Sequence, residues 1–130
     1  MITTSNGKPV EFIITPASTA DITAFKLMEI NLNPGSIIYG NKAYNHYFLE
    51  ESLLEMESIQ LVPDRKKNAT RQHSGCLRYL QSRLRKRIET TFSQLCCLFP
   101  RKIHAVTANG FLLKLIIFIV AFSLEKLSTL

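Results

Sequence analysis

Ser36-Ile37-Ile38-Tyr39-Gly40-Asn41-Lys42-Ala43-Tyr44 reads as a short buried strand that ends at Gly40 and turns straight into a helix. That reading places Asn41 at the carboxyl end of a strand, where open α/β sheets gather their ligand chemistry. A second anchor is Arg85-Lys86-Arg87-Ile88-Glu89, inside a long helical pattern. The rest of the chain is organised around these two stretches.

Upstream of Ser36, Asn33-Pro34-Gly35 stops a helix whose apolar positions Ile22, Phe25, Met28 and Leu32 recur at helical spacing. Ser18 or Thr19 is expected to cap it, and Asp21 suits its first turn through the helix dipole. Residues 10–15 read as a strand, joined to residues 1–4 by Asn6-Gly7, the strongest two-residue hairpin signal. The chain thus opens inside a hairpin.

Downstream, residues 43–57 predict a helix with Tyr44, Tyr47, Phe48 and Leu54 on one side. Glu50, Glu51, Glu55 and Glu57 are expected on its solvated face. Residues 59–62 form another short strand, ended by Pro63. Residues 64–74 are polar, basic and without periodicity, which predicts a mobile loop. From Gly75 a helix is expected to run to about Phe99, with Leu77, Leu80, Leu84, Ile88, Phe92, Leu95 and Phe99 as its buried stripe. Pro100 ends it. A last region, residues 103–127, is mostly helical with a break expected at Asn109-Gly110. The alternation of strand and helix argues for one α/β domain over residues 1–130, with parallel pairing in its later part.

Charge is unevenly spread along the 130 residues. Between Pro63 and Lys102 there are eleven Lys or Arg against two acids, Asp64 and Glu89; the remainder holds five basic and eight acidic residues, within a total of +6. A basic block of this kind favours a polyanion, most simply nucleic acid, over a merely solvated helix face. Three cysteines, Cys76, Cys96 and Cys97, suggest no disulfide framework and are expected as reduced, mostly buried thiols of a cytoplasmic protein. His73 and Cys76 lack a second ligand pair at zinc-site spacing. Asn68-Ala69-Thr70 matches a glycosylation acceptor, without a signal peptide to deliver it. Residues 111–124 are the most apolar run, interrupted by Lys114. A spanning helix needs roughly 20 residues, so this run reads as a buried core helix and no membrane partner is expected.

Four stretches carry a resemblance. Gly7-Lys8-Pro9-Val10, Pro16-Ala17-Ser18-Thr19-Ala20-Asp21, Tyr39-Gly40-Asn41-Lys42-Ala43-Tyr44-Asn45 and Arg85-Lys86-Arg87-Ile88-Glu89-Thr90-Thr91-Phe92-Ser93 resemble, in order and spacing, DDE transposases of bacterial insertion sequences. The resemblance implies a ribonuclease-H-like core, Glu89 as third catalytic acid and Arg85 as its companion. It places the second catalytic acid at position 41, where this chain has Asn. It places the first on a strand preceding Met1, so the expected fold is a truncated ribonuclease-H-like α/β fold: a mixed sheet lacking its first strand, followed by C-terminal helices. Ser82 and Cys96 stand where related transposases carry a tyrosine and a lysine.

Polynucleotidyl transfer in such cores uses two magnesium ions about 4 Å apart, one activating the attacking oxygen and one stabilising the leaving oxygen. Magnesium prefers charged oxygen ligands. Asn41 offers a neutral one, which leaves Glu89 as the single carboxylate of the expected set. The implied chain is therefore a C-terminal transposase portion that binds Mg2+ weakly or not at all and is inactive alone. The alternative is a non-catalytic module in which Arg65, Lys66, Lys67, Arg71, Arg83, Arg85, Lys86 and Arg87 hold DNA or a full-length transposase subunit. A sheet without its central strand would be split in two, or rearranged with the hairpin directly on the strand at Ile37–Ile38, and such edges favour self-association.

Overall fold

The computed structural model describes residues 1–129. In chain order it contains β1 (Ile2–Thr3), β2 (Pro9–Glu11), α1 (Asp21–Leu27), β3 (Ile37–Gly40), a 3-10 turn (Lys42–Tyr44), α2 (Tyr47–Glu57), β4 (Gln60–Pro63), α3 (Gly75–Leu98) and α4 (Ala108–Ser128). The fold is mixed α/β, with two long helices at the C-terminal end. Among the described residues there are two sheets of two strands each, β1 with β2 and β3 with β4. Among the described residues the β1–β2 hairpin does not pair with β3. The chain divides into two compact units, one formed by residues 1–2 and 10–86 and the other by residues 3–9 and 87 onward.

The hairpin forms at Asn6-Gly7, but not as a two-residue turn. The Gly7 amide donates to the Thr4 carbonyl at 2.9 Å, and the Thr4 amide donates to Lys8 at 2.8 Å. Gly7 has φ +82° while Asn6 is not left-handed. A type I′ turn would need both residues at positive φ; a three-residue loop closed by one left-handed glycine needs only Gly7. Strand β2 stops at Glu11 instead of reaching Thr15, because a two-residue β1 offers no longer ladder to pair with.

In the first unit, α1 begins after Ala20, with no side-chain cap from Ser18 or Thr19. The Thr23 and Ala24 amides are both taken by the Ala20 carbonyl at 3.0 Å. The helix ends a turn earlier than its apolar pattern suggested. Ile30 and Leu32, beyond its end, still pack on the core of Phe25, Ile38, Ile59 and Leu61. Burial there is served by extended chain as well as by helix.

Strands β3 and β4 run parallel, Ile38 beside Leu61 and Tyr39 beside Val62. The Gln60 and Asp64 amides reach across to Ser36 and Gly40 at 3.0 and 2.9 Å. Just before β4 the Ile59 amide is taken by the Leu53 carbonyl at 3.2 Å, and at its end the Pro63 carbonyl is bonded by His73 Nε2 at 2.8 Å. Proline has no donor to offer, which suits a strand edge.

The helix expected over 43–57 is split. The 3-10 turn closes at Tyr44, and α2 restarts with His46 as its cap, Nδ1 accepting the Leu49 amide at 3.2 Å. The restart resets which side faces inward. Leu49 and Leu53 pack on the core, while Phe48 and Leu54 are 73% and 56% exposed. Ser58, left-handed at φ 54°, closes α2, and the amides of Ser58 and Ile59 both turn back to Leu53. This helix ending places Ile59 in the core.

The inward stripe at α3 matches the expected one at Leu77, Leu84, Ile88, Leu95 and Phe99 and differs at two positions. Gln81, Thr91 and Leu95 are buried and Leu77, Leu84, Ile88 and Phe99 half-buried, whereas Leu80 and Phe92 are exposed. Positions 77, 81, 84, 88, 91, 95 and 99 keep helical spacing, but two are polar. Each meets a carbonyl: Gln81 Nε2 donates to Val62 at 3.0 Å, and Thr91 Oγ1 to Gly7 at 3.2 Å. Buried carbonyls need donors, and an all-leucine stripe would supply none.

In the second unit, Asn109-Gly110 is not a break. It lies in the first turn of α4, where Thr107 caps the helix through the Gly110 amide at 3.0 Å. Glycine is tolerated there because few intrahelical bonds yet depend on it. Leu95, Ile119 and Phe122 are buried, and Phe99 and Phe118 meet with ring centroids 5.5 Å apart. The rest of α4 corrects the expectation of a buried core helix, since most of its large apolar side chains are exposed. No helix among the described residues is long and apolar enough to cross a membrane. The three cysteines are unpaired and exposed instead of buried; on α3, Leu95 takes the inward position beside Cys96.

Candidate functional site

Asn41 sits where the sequence placed it, directly after β3. Its Oδ1 accepts the Ala43 amide at 2.8 Å and so caps the 3-10 turn. Gly40 is required beside it for space, not for backbone freedom: a Cβ there would lie 2.9 Å from Cδ2 of Tyr44. The Tyr44 ring in turn packs edge-on against Phe25, centroids 5.4 Å apart. Burial, and then the Asp21 charge, push the Tyr44 hydroxyl above its ordinary pKa. The strand end is thus rigid, but its one side-chain oxygen already serves the backbone.

Glu89 is exposed on α3, one turn beyond Arg85. Asn41 belongs to the first unit and Glu89 to the second. Among the described residues no three His, Cys, Asp or Glu side chains gather where a metal ion could be held. A two-magnesium centre needs several charged oxygens converging. A capping carboxamide and one helical carboxylate do not fit that requirement.

The basic residues divide by environment. The Arg65 side chain is 4% exposed and forms a two-point pair with Glu50, Nη1 to Oε1 and Nη2 to Oε2 both at 2.6 Å. Nη1 also donates to Asn45 Oδ1. Its guanidinium carbon lies 4.9 Å from the centre of the Tyr47 ring. Arg71 lies over the same ring at 4.6 Å and pairs with Glu51 at 2.8 Å. The Tyr47 hydroxyl meets Thr70 at 3.1 Å, and that bond lowers its pKa from the ordinary value. Arg65 is therefore a structural residue of the first unit; reaching a phosphate would require breaking a nearly buried ion pair.

Lys66 and Lys67 are exposed on a segment that has no periodicity but is tied together. Gln72 Nε2 faces the carbonyls of Lys66, Lys67 and Ala69 at 2.8, 3.1 and 3.0 Å. On α3, Arg83, Arg85, Lys86 and Arg87 are all exposed. At 100° per residue, Lys86 falls opposite the buried stripe, with Arg83 and Arg87 on one flank and Arg85 on the other. Arg87 also reaches the Ser5 carbonyl at 3.4 Å. The Arg65–Tyr47–Arg71 stack escaped sequence reading because its members lie 6 to 24 positions apart with no repeating pattern.

Comparison of the chain with protein-family models, with characterised proteins and with solved structures returned no match.

Proposed function

We propose that this chain is a transposase-type polypeptide that engages DNA through the outer face of α3 without cleaving it. The observation that carries the reading is the exposed set Arg83, Arg85, Lys86 and Arg87 on α3, with Lys86 opposite the buried stripe and the other three on its flanks. Lys66 and Lys67 add exposed charge. The four-stretch resemblance supports the choice of DNA over other polyanions. Nothing in the arrangement selects a base sequence, so the contact is with phosphates, which release counterions when neutralised.

The test is fluorescence anisotropy with a labelled duplex at two salt concentrations. Binding should weaken steeply with salt. Arg83→Ala with Lys86→Ala should reduce the logarithmic salt slope by about one per phosphate contact removed. Absence of binding at low salt, or an affinity indifferent to salt, would refute the reading.

A further inference from the structure

Of the four tyrosines, Tyr79 is the exposed one, at 67%. Arg65 and Arg71 lie over the Tyr47 ring, and the Tyr44 ring packs on Phe25. Tyr39 is half-buried in β3. An exposed apolar side chain standing alone would need no explanation, but Tyr79 stands among cations. At 100° per residue along α3 it lies within about 20° of Lys86 and about 40° of Arg83. Arg83 follows it by about 6 Å along the axis and Lys86 by about 10 Å. Arg78 and Arg85 border the same face on one side, with Ser82 between. All six residues are exposed, and all belong to the first unit.

We propose that this face holds single-stranded DNA, with an unpaired base flat on the Tyr79 ring and the adjoining phosphates against Arg83 and Lys86. The proposal rests on the DNA-binding reading above and adds which form of DNA is held. Cations alone do not choose the form, since phosphates line single strands and duplexes alike, and a duplex carries them more densely. The ring does choose. In a duplex each base is covered above and below by its neighbours, so a side chain meets only base edges and backbone. An unpaired base exposes its π-face, and every base has one, so the contact is indifferent to sequence. Tyrosine suits the role because its ring is large and rigid and only two torsions are fixed on binding. An arginine one turn away then meets the phosphate beside the stacked base as a charge-assisted donor. An acidic protein segment would be served by the cations and has no use for the ring. A lipid surface fits less well, because Ser82, Arg83 and Lys86 around the ring leave no apolar face to enter it.

The experiment is fluorescence anisotropy on the full chain with labelled probes of equal length: a DNA strand of mixed sequence, the same strand without its bases, its duplex and the matching RNA strand. The DNA strand should bind tightest. Tyr79→Leu should weaken it at least about fivefold with the salt slope and helical circular dichroism unchanged, and Tyr79→Phe should keep the wild-type affinity. Should Tyr79→Leu lose helix, Tyr79→Gln makes the same comparison. Arg83→Ala should instead lower the logarithmic salt slope by about 0.7. A duplex bound as tightly as the single strand, with Tyr79→Leu indifferent, would overturn this proposal and leave the DNA-binding reading standing. So would a Tyr79→Leu loss that is equal on the strand without bases, or a preference for the RNA strand. Absence of binding to every probe would overturn both.

Discussion

The Thr91 hydroxyl shares its one proton between the Gly7 carbonyl at 3.2 Å and the Arg87 carbonyl of its own helix at 3.1 Å, tying the hairpin loop to α3 across 84 positions of sequence. The same oxygen lies 2.6 Å from where a Cβ on Gly7 would stand, and Gly7 has φ +82°. Gly7→Ala therefore meets both a backbone penalty of about 1–2 kcal/mol and a clash. Thr91→Val removes the donor and leaves a buried carbonyl, at a cost of roughly 1–3 kcal/mol. Urea denaturation should show both variants less stable. A Gly7→Ala protein as stable as wild type would mean the loop has another conformation.

Arg65 and Glu50 form a two-point pair with side chains 4% and 13% exposed. Removing one partner from such a pair typically costs about 3–5 kcal/mol, because the other charge stays buried. Glu50→Ala should thus be strongly destabilising. Arg71→Ala, whose pair with Glu51 is half exposed, should cost no more than about 1 kcal/mol. Equal effects of the two variants in thermal melts would show that burial of Arg65 is not what holds the loop.

These two relationships also mark where sequence reading reached its limit. The strands at Ile37–Gly40 and Gln60–Pro63 and the helix from Gly75 were legible, because apolar runs bounded by Gly or Pro set them locally. The inward face of α3 was legible at Leu77, Leu84, Ile88 and Leu95 but not at two positions. Hydrophobicity points Leu80 and Phe92 inward, but Gln81 and Thr91 go in, since the carbonyls they meet come from Val62 and Gly7, distant in sequence. Asn41 was placed correctly at a strand end, yet its cap on Ala43 is a local backbone need that the functional motif did not suggest. Arg65 looked like one cation among many, because nothing adjacent to it announces Glu50 or Tyr47.

Tyr44 gives a pH signature. Its hydroxyl is raised above the ordinary value of 10.0 by burial first and by Asp21 second. Below pH 10 both folded and unfolded chains hold the proton, so the contribution to stability is fully present. As pH rises above 10, the unfolded chain loses its proton first and is favoured, so stability falls until the folded pKa is passed. Denaturation midpoints at pH 9 and pH 11 should differ in that direction, with a smaller difference in Tyr44→Phe. Phenylalanine keeps the ring against Phe25 and Gly40. An identical drop in the variant would assign the effect to other groups.

Asn41→Asp separates the capping role of this position from a catalytic one. Aspartate and asparagine are about equally good caps, so the Ala43 amide keeps its acceptor and stability should change by only a few tenths of a kcal/mol. The substitution adds one carboxylate to a chain in which the described residues gather no metal-binding group of three. One added ligand does not assemble the converging oxygens that two magnesium ions need. Supercoiled plasmid incubated with Asn41→Asp protein and magnesium or manganese should stay un-nicked, as with the unaltered chain, while salt-dependent DNA binding is retained. Nicking that appears with Asn41→Asp and disappears when Glu89→Gln is added would place both residues in one metal centre and overturn the non-cleaving assignment.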